Sequence, residues 1–497
     1  MSVDASLIAW VKETAVLGSC AGVLGWDERT YMPRGGSAHR AEQMALLARL
    51  CHERATDSRI GDWLEKLASE QLTDAQAANV REIRRGYERA RKLPADLVEE
   101  IARVTTQAQQ VWAEARSNSD FAKFLPWFER IVLLKRREAQ AIGYQEHIYD
   151  ALLDEYEPGA TTVRIRELFA RLAKELTPLV ASIVQSGRSP NRELLHREFP
   201  VEAQKSFGRM AAERIGFDFE RGRLDVTTHP FCSGIGPGDC RITTRYNSTH
   251  FNESFFGILH EAGHGIYEQN LPHEHFGTPL GAAASLGIHE SQSRLWENQV
   301  GRSREFWEHF FPLAQGAFPT SLKDVKLDDF YFAINDVQTS FIRVEADEAT
   351  YNLHIILRFE LEQALLTGDL QPRDVPGAWG ESFQRLLHLT PPDDRRGCLQ
   401  DIHWSFGGLG YFATYTLGNL YAAQFMEQAQ SDLPDLHGDF RRGEFGGLKT
   451  WLVEKIHRHG QHDRAEGLCR KITTKPLSHE PFLRYLRGKY APLYGLK

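Results

Sequence analysis

Phe255-Phe-Gly-Ile-Leu-His260-Glu261-Ala-Gly-His264-Gly-Ile-Tyr-Glu268 reads as one buried helix with polar chemistry set into it. Phe255, Phe256, Ile258 and Leu259 place apolar side chains around its first turns, the pattern of a helix inside a core. His260 and His264 are four residues apart, so on a helix both imidazoles project from one face and can grip a single metal ion. Glu261 stands beside them, where a carboxylate can take a proton from water. Burying two histidines and a glutamate is costly unless they are paired or metal-bound, which weighs against two satisfied core histidines.

Outward from this segment most of the chain has the same helical period. Ile165, Leu168, Phe169, Leu172, Leu176, Leu179, Val180 and Ile183 recur at three- and four-residue steps, predicting a helix with one buried face. Thr161 and Thr162 are its cap candidates, and Pro158-Gly159 supplies the break before it. Ala41–Leu50, Leu361–Leu366 and Trp451–Ile456 follow the same logic. The exception is Leu224–Tyr246, where Gly234, Gly236, Pro237 and Gly238 interrupt any helix and Arg241-Ile-Thr-Thr-Arg-Tyr246 is rich in β-branched residues, predicting a small β-hairpin. The expected fold is all-α with that hairpin region. With no repeat and no flexible linker, residues 1–497 are expected to form a single domain, with two lobes around a groove.

At 497 residues the chain can bury a large core, and its 42% hydrophobic and 25% charged composition is that of an ordinary globular protein. The net charge of -8 comes without a long basic run, so nucleic acid is not an expected partner. No stretch approaches the roughly 20 apolar residues of a membrane span. Met1–Val11 lacks the layout of a secretory leader, and the cytoplasm is the expected location. The six cysteines include no CxxC pair, which argues against a thiolate zinc site. Cys232 and Cys240 flank the Gly-rich loop, but a reducing compartment disfavours a bridge between them.

A catalytic zinc site needs a third protein ligand and an open position. The first candidate downstream is Glu290, in His289-Glu290-Ser-Gln-Ser293; the alternative for a lone glutamate is a solvated helix charge. His289 is a candidate for orienting a ligand through a hydrogen bond.

These residues resemble the carboxypeptidase Taq family of HExxH metallocarboxypeptidases. The likeness extends to His229-Pro-Phe231, Asp239-Cys-Arg241-Ile-Thr243, His289-Glu-Ser-Gln292, Ile342-Arg343-Val-Glu-Ala346-Asp347 and Gly397-Cys-Leu-Gln400-Asp401-Ile-His403-Trp404. It also reaches both ends, through Leu24-Gly-Trp-Asp27, Thr30-Tyr-Met-Pro33 and Glu480-Pro-Phe-Leu-Arg-Tyr485. The resemblance implies an all-helical fold with a deep central groove, one divalent metal and a homodimer. Ala262, Gly265 and Cys240 depart from residues common in the family, none at a ligand position.

Family likeness gives Arg343 the free carboxylate of a peptide, and a guanidinium fork can grip one with two bonds. On a helix Arg343, Asp347, Tyr351 and His354 would share a face, so Asp347 is an equal candidate as the arginine's ion-pair partner. His403 and Tyr411 flank Gly407-Gly-Leu-Gly410 and are candidate donors to an oxyanion; Tyr415 competes, and plain packing is the alternative for each. His229, held extended by Pro230, is a candidate for lining the peptide site. The reading is a metallocarboxypeptidase of broad specificity, with His260, His264 and Glu290 on Zn2+ (or Co2+ or Mn2+) and Glu261 as general base. Its rivals are an HExxH oligopeptidase or dipeptidyl carboxypeptidase, and an inactive peptide-binding scaffold.

Overall fold

The computed structural model describes residues 2–496. It is mainly helical, with one three-stranded sheet among the described residues, and the chain divides into two compact units. One gathers the chain up to Ala90 with Pro190–Ile334 and Tyr421–Pro476; the other takes Arg91–Ser189, Asn335–Leu420 and the chain from Leu477 onward.

The first unit is organised around the helix Phe251–Asn270, which holds the HExxH residues. Phe251, Phe255, Phe256, Ile258, Leu259, Ala262 and Ile266 are all buried there. Phe207, Trp307, Phe318 and Phe330 pack edge-on or tilted around Phe251 with ring centroids 5.6–6.4 Å apart. Each such ring contributes about 1.5–3 kcal/mol by leaving water, so this helix is anchored on three sides before its polar residues are considered. On another side lies the sheet, with β1 (Gly222–Val226), β2 (Cys232–Gly236) and β3 (Asp239–Thr244) in the order β1-β3-β2. β2 and β3 form the expected hairpin, with Cys232 opposite Ile242 and Gly234 opposite Cys240. β1 was not anticipated as a partner, and it pairs parallel to β3. The Cys232 and Cys240 thiols are free, with sulfurs 3.6 Å apart.

The motifs near the start of the chain are explained here. Arg241 is paired with Asp239 through two hydrogen bonds of 2.8 and 2.7 Å and lies over the Trp26 ring at 4.4 Å. Arg40 joins Asp27 at 2.7 Å. Helix Val3–Thr30 is by length and composition able to cross a membrane, which corrects the reading that no stretch is long and apolar enough. Its Ala, Gly, Val and Leu content is interrupted by Lys12 and Glu13, and Lys12 Nζ donates to the Glu274 carbonyl at 2.6 Å. Only Leu7 and Trp26 of this helix are buried. The following helix, Ser37–Ala55, buries none of its residues, so the period read over Ala41–Leu50 marks a helix but not a core face.

In the second unit, helix Thr162–Gln185 buries Ile165, Phe169, Leu172, Leu176, Val180 and Ile183 as the period predicts. Thr161 occupies the cap position but makes no side-chain cap bond. Asp150 caps the helix instead, accepting the Thr162 backbone N–H at 2.6 Å. Helix Tyr351–Thr367 is nearly all buried, including Arg358 and Glu362. Burial raises the Glu362 carboxyl to about 7 despite hydrogen bonds from Tyr149, Gly410 and Trp404.

Candidate functional site

Two imidazoles and a carboxylate converge in the first unit. His264 Nε2 lies 3.4 Å and His260 Nε2 3.8 Å from Glu290 Oε2, and the three ligand atoms are mutually within 4.8 Å. Donors around a tetrahedral ion with bonds near 2.0–2.2 Å stand about 3.3 Å apart, so this set fits a small divalent cation with modest contraction. Two neutral nitrogens and one carboxylate oxygen also match the borderline donor preference of zinc-type ions.

Glu290 arrives from helix Leu286–Arg294, whose start is capped by Ser285 Oγ accepting the Ile288 N–H at 3.0 Å. The two helices meet at Gly263, inside the HExxH turn. A Cβ there would sit 2.6 Å from the Gln292 carbonyl oxygen and 2.7 Å from Ser293 Cα. Both are backbone atoms, so any side chain must separate the helices and draw Glu290 away from the histidines. Gly263→Ala is therefore expected to lower unfolding free energy by about 1–3 kcal/mol and to weaken metal retention. Denaturant melts with metal titration check this, and an unchanged midpoint with unchanged affinity would refute the close-approach argument.

The remaining ring nitrogens are also engaged. His260 Nδ1 lies 2.8 Å from Glu297 Oε2, and His264 Nδ1 lies 3.1 Å from the His289 carbonyl oxygen. An Nδ1–H donated to either acceptor leaves the Nε2 lone pair free for a cation. Arg294 ties the two carboxylates together, donating from Nε to Glu290 Oε1 at 2.7 Å and from Nη1 to Glu297 Oε2 at 3.1 Å. Glu297 lies in a widened π-helical stretch, Leu295–Val300, a distortion frequent at functional sites. The His289 ring, anticipated as an orienting group, faces elsewhere: it bonds Glu268 at 2.8 Å and stacks on His264 at 4.4 Å. Its backbone carbonyl, not its ring, accepts from His264 Nδ1.

Electrostatics separate the acidic groups. Burial lifts the Glu261 carboxyl to about 7, with His260 opposing the shift. Burial acts on Glu290 as well, but Arg294 and the two histidines hold it well below the usual carboxylate range. Burial, aided by His289, lowers His264 to about 3. An ionised Glu290 and a neutral His264 are the forms in which these groups bind metal.

The second unit contains a different cluster. Arg343 lies in a single tight turn, Arg343–Glu345, and the next helix starts at Tyr351, so the expected shared helical face through Asp347, Tyr351 and His354 does not exist. Its partner is Asp401, not Asp347: Arg343 Nε and Nη2 donate to Asp401 Oδ1 at 2.9 and 2.8 Å, and Nη1 donates to Tyr351 Oη at 2.8 Å. Asp347 instead accepts backbone N–H groups of Gln338, Ala349 and Thr350 at 2.9–3.1 Å. Those bonds close the turn before the helix. The other oxygen of Asp401 accepts Arg358 Nε at 2.7 Å. His403 Nε2 lies 3.3 Å from Tyr415 Oη, and its ring rests against Tyr411 at 5.3 Å and Phe412 at 4.5 Å. Burial lowers His403 to about 3. His229, in the first unit, is exposed in a bend between β1 and β2.

Sequence reasoning missed Glu297, Arg294, Glu268 and Arg358. The one available signal was the run Glu290-x3-Arg294-x2-Glu297, alternating charges at helical spacing beside a proposed ligand.

Residues 6–490 match the family described as Carboxypeptidase Taq (M32) metallopeptidase. The chain is 50% identical to Thermostable carboxypeptidase 1 of Thermus thermophilus, over 99% of this chain and 98% of that protein. It is 40% identical to Carboxypeptidase 1 of Bacillus subtilis, over 95% of each. Its fold is similar to the crystal structure of an M32 carboxypeptidase from Deinococcus radiodurans, with TM-score 0.97 and 40% identity across 100% of both chains. It is also similar to metallocarboxypeptidase 1 of Trypanosoma cruzi, with TM-score 0.94 and 35% identity over 98% of this chain and 99% of that one.

Proposed function

The chain belongs to the carboxypeptidase Taq (M32) family and is a metallocarboxypeptidase acting on peptides with a divalent metal ion, and on that premise we propose how its own residues divide the work. His260, His264 and Glu290 hold the ion, with Zn2+ the proposed occupant and Co2+ or Mn2+ able to use the same donors. When bound, the cation supplies Lewis acidity to water and to the scissile carbonyl. Glu261 takes the proton of the attacking water and returns it to the leaving amine. Glu297 and the His289 carbonyl keep the histidine rings in register, while Arg294 keeps Glu290 ionised. The observation that carries this reading is the convergence of His260, His264 and Glu290 beside Glu261, a buried carboxylate on the helix of the two histidines.

Arg343 is assigned the free carboxylate of the substrate, and recognition of that group makes the activity an exopeptidase one that releases single residues of broad identity. His403, Tyr411 and Tyr415 are proposed hydrogen-bond donors to the oxyanion, and His229 a peptide-contacting residue. Because the family pattern runs through both units, residues 1–497 are read as one metallocarboxypeptidase domain. A homodimer is supported by Val16, Val23 and Leu46, which stand 55%, 36% and 49% exposed on the first two helices. A cytoplasmic location agrees with six free cysteines.

Mass spectrometry of an unblocked peptide and its C-terminal amide tests the substrate assignment. Stepwise loss of one residue at a time is expected from the acid, with the amide cleaved at least about 100-fold more slowly. Release of dipeptides, or equal rates on acid and amide, would overturn it.

A further inference from the structure

We propose that Arg358 is a positioning residue for the substrate carboxylate, acting through Asp401 to leave Arg343 with positive charge to offer. The inference rests on the assignment of Arg343 to that carboxylate.

An arginine bonded to a buried aspartate is ordinarily a closed pair with no net charge. Here Asp401 is shared. Its Oδ1 accepts two bonds from Arg343 and its Oδ2 accepts Arg358, so two cations surround one anion and the cluster keeps one net positive charge. Arg358 is fully buried, whereas a small edge of Arg343 is accessible, 6% of its side chain. The uncompensated charge can therefore be presented only by Arg343. A guanidinium has five N–H donors; Arg343 gives two to Asp401 and one to Tyr351, which leaves two, the number a bidentate carboxylate grip uses. Arg358 is held by its own helix, Nη1 donating to the His354 carbonyl at 2.6 Å, with the Trp379 ring 4.6 Å away. Nothing in its surroundings lets it approach a ligand. Its effect reaches one only by occupying half of Asp401.

A charge count distinguishes this role from simple packing. Arg358→Met leaves Arg343 and Asp401 as a neutral pair, while Arg358→Met with Asp401→Asn restores one net positive charge on Arg343. The experiment measures kcat and KM on a free-acid peptide, together with inhibition by N-acetylphenylalanine and by its amide, in folded protein checked by thermal melts. Wild type is expected to bind the acid more tightly than the amide. Arg358→Met is expected to raise KM and the acid's inhibition constant by about 10- to 100-fold, leaving kcat and the amide's constant within about 2-fold. The double variant is expected to recover at least about 10-fold of the loss, and Arg358→Lys to retain most of the acid preference.

Acid preference unchanged in Arg358→Met, acid and amide weakened together, or a double variant worse than the single one would each overturn the proposal. Should Arg358→Met fail to fold, Arg358→Lys decides, because a folded lysine variant without acid preference overturns it equally. A wild type that does not distinguish acid from amide would instead remove the assignment of Arg343.

Discussion

Glu261→Gln is expected to lower kcat by about 10²- to 10⁴-fold, the span that a positioned general base contributes, while one metal ion per chain is retained. The carboxamide is nearly the same size as the carboxylate and fits the same buried space, but it cannot accept and return a proton. Glu261 is not among the three converging donors, so metal content in the variant should match wild type. Parallel measurement of turnover and metal stoichiometry checks both halves. A variant with near-normal kcat would remove Glu261 from the general-base role. A variant that loses metal together with activity would make it a structural neighbour of the site.

His264→Ala is expected to be the more severe change, abolishing stoichiometric metal and with it turnover. Removing this ring deletes the nearer of the two imidazole nitrogens to Glu290 Oε2, at 3.4 Å against 3.8 Å for His260. The two groups that remain cannot satisfy a cation that requires three protein ligands. Chelation of the wild type should reproduce the loss, and readdition of Zn2+ should reverse it, whereas the variant should stay silent at the same concentrations. A second signature is thermal. Binding to the folded form alone stabilises it by RT ln(1 + [L]/Kd), about 2.7 kcal/mol at one hundred times Kd, so added metal should raise the wild-type melting temperature and leave His264→Ala unmoved. Activity indifferent to chelator, or a variant that still binds one ion per chain, would refute the ligand set.

How much could be read without coordinates depended on whether the information was local. His260, Glu261 and His264 were legible because helical geometry alone places residues four apart on one face, and the aromatic run before them declared the helix buried. Glu290 was legible only as a nearby candidate, since no spacing rule carries a residue from one helix to the next. Gly263 is the physical reason the two helices meet. Its value lies in the absence of a Cβ against the Gln292 and Ser293 backbone, a fact that exists only once both chains of atoms are placed.

Arg343 is the contrasting case, where a local rule misled. A helical reading put Asp347 one turn away, yet Asp347 is used by the backbone to end an irregular turn, and the guanidinium pairs with Asp401, 58 positions along. The apolar run of the first helix, Val3–Thr30, is missed by counting uninterrupted apolar residues. Its apolar content is real, but composition does not say which partner covers a helix or leaves it open.

The amino-acid sequence by itself therefore determined the helical class, the hairpin, the helix that carries His260, Glu261 and His264 and the kind of chemistry available, because these follow from side-chain periodicity and from what two imidazoles and a carboxylate can do. Only tertiary structure decided which distant carboxylate faces the imidazoles, that Glu297 holds one ring from behind, and that Arg343 shares its aspartate with Arg358. Short-range order follows from covalent geometry and backbone hydrogen bonding. Charge pairing in a buried site depends on which groups close packing forces out of water together, and that is a property of the whole fold.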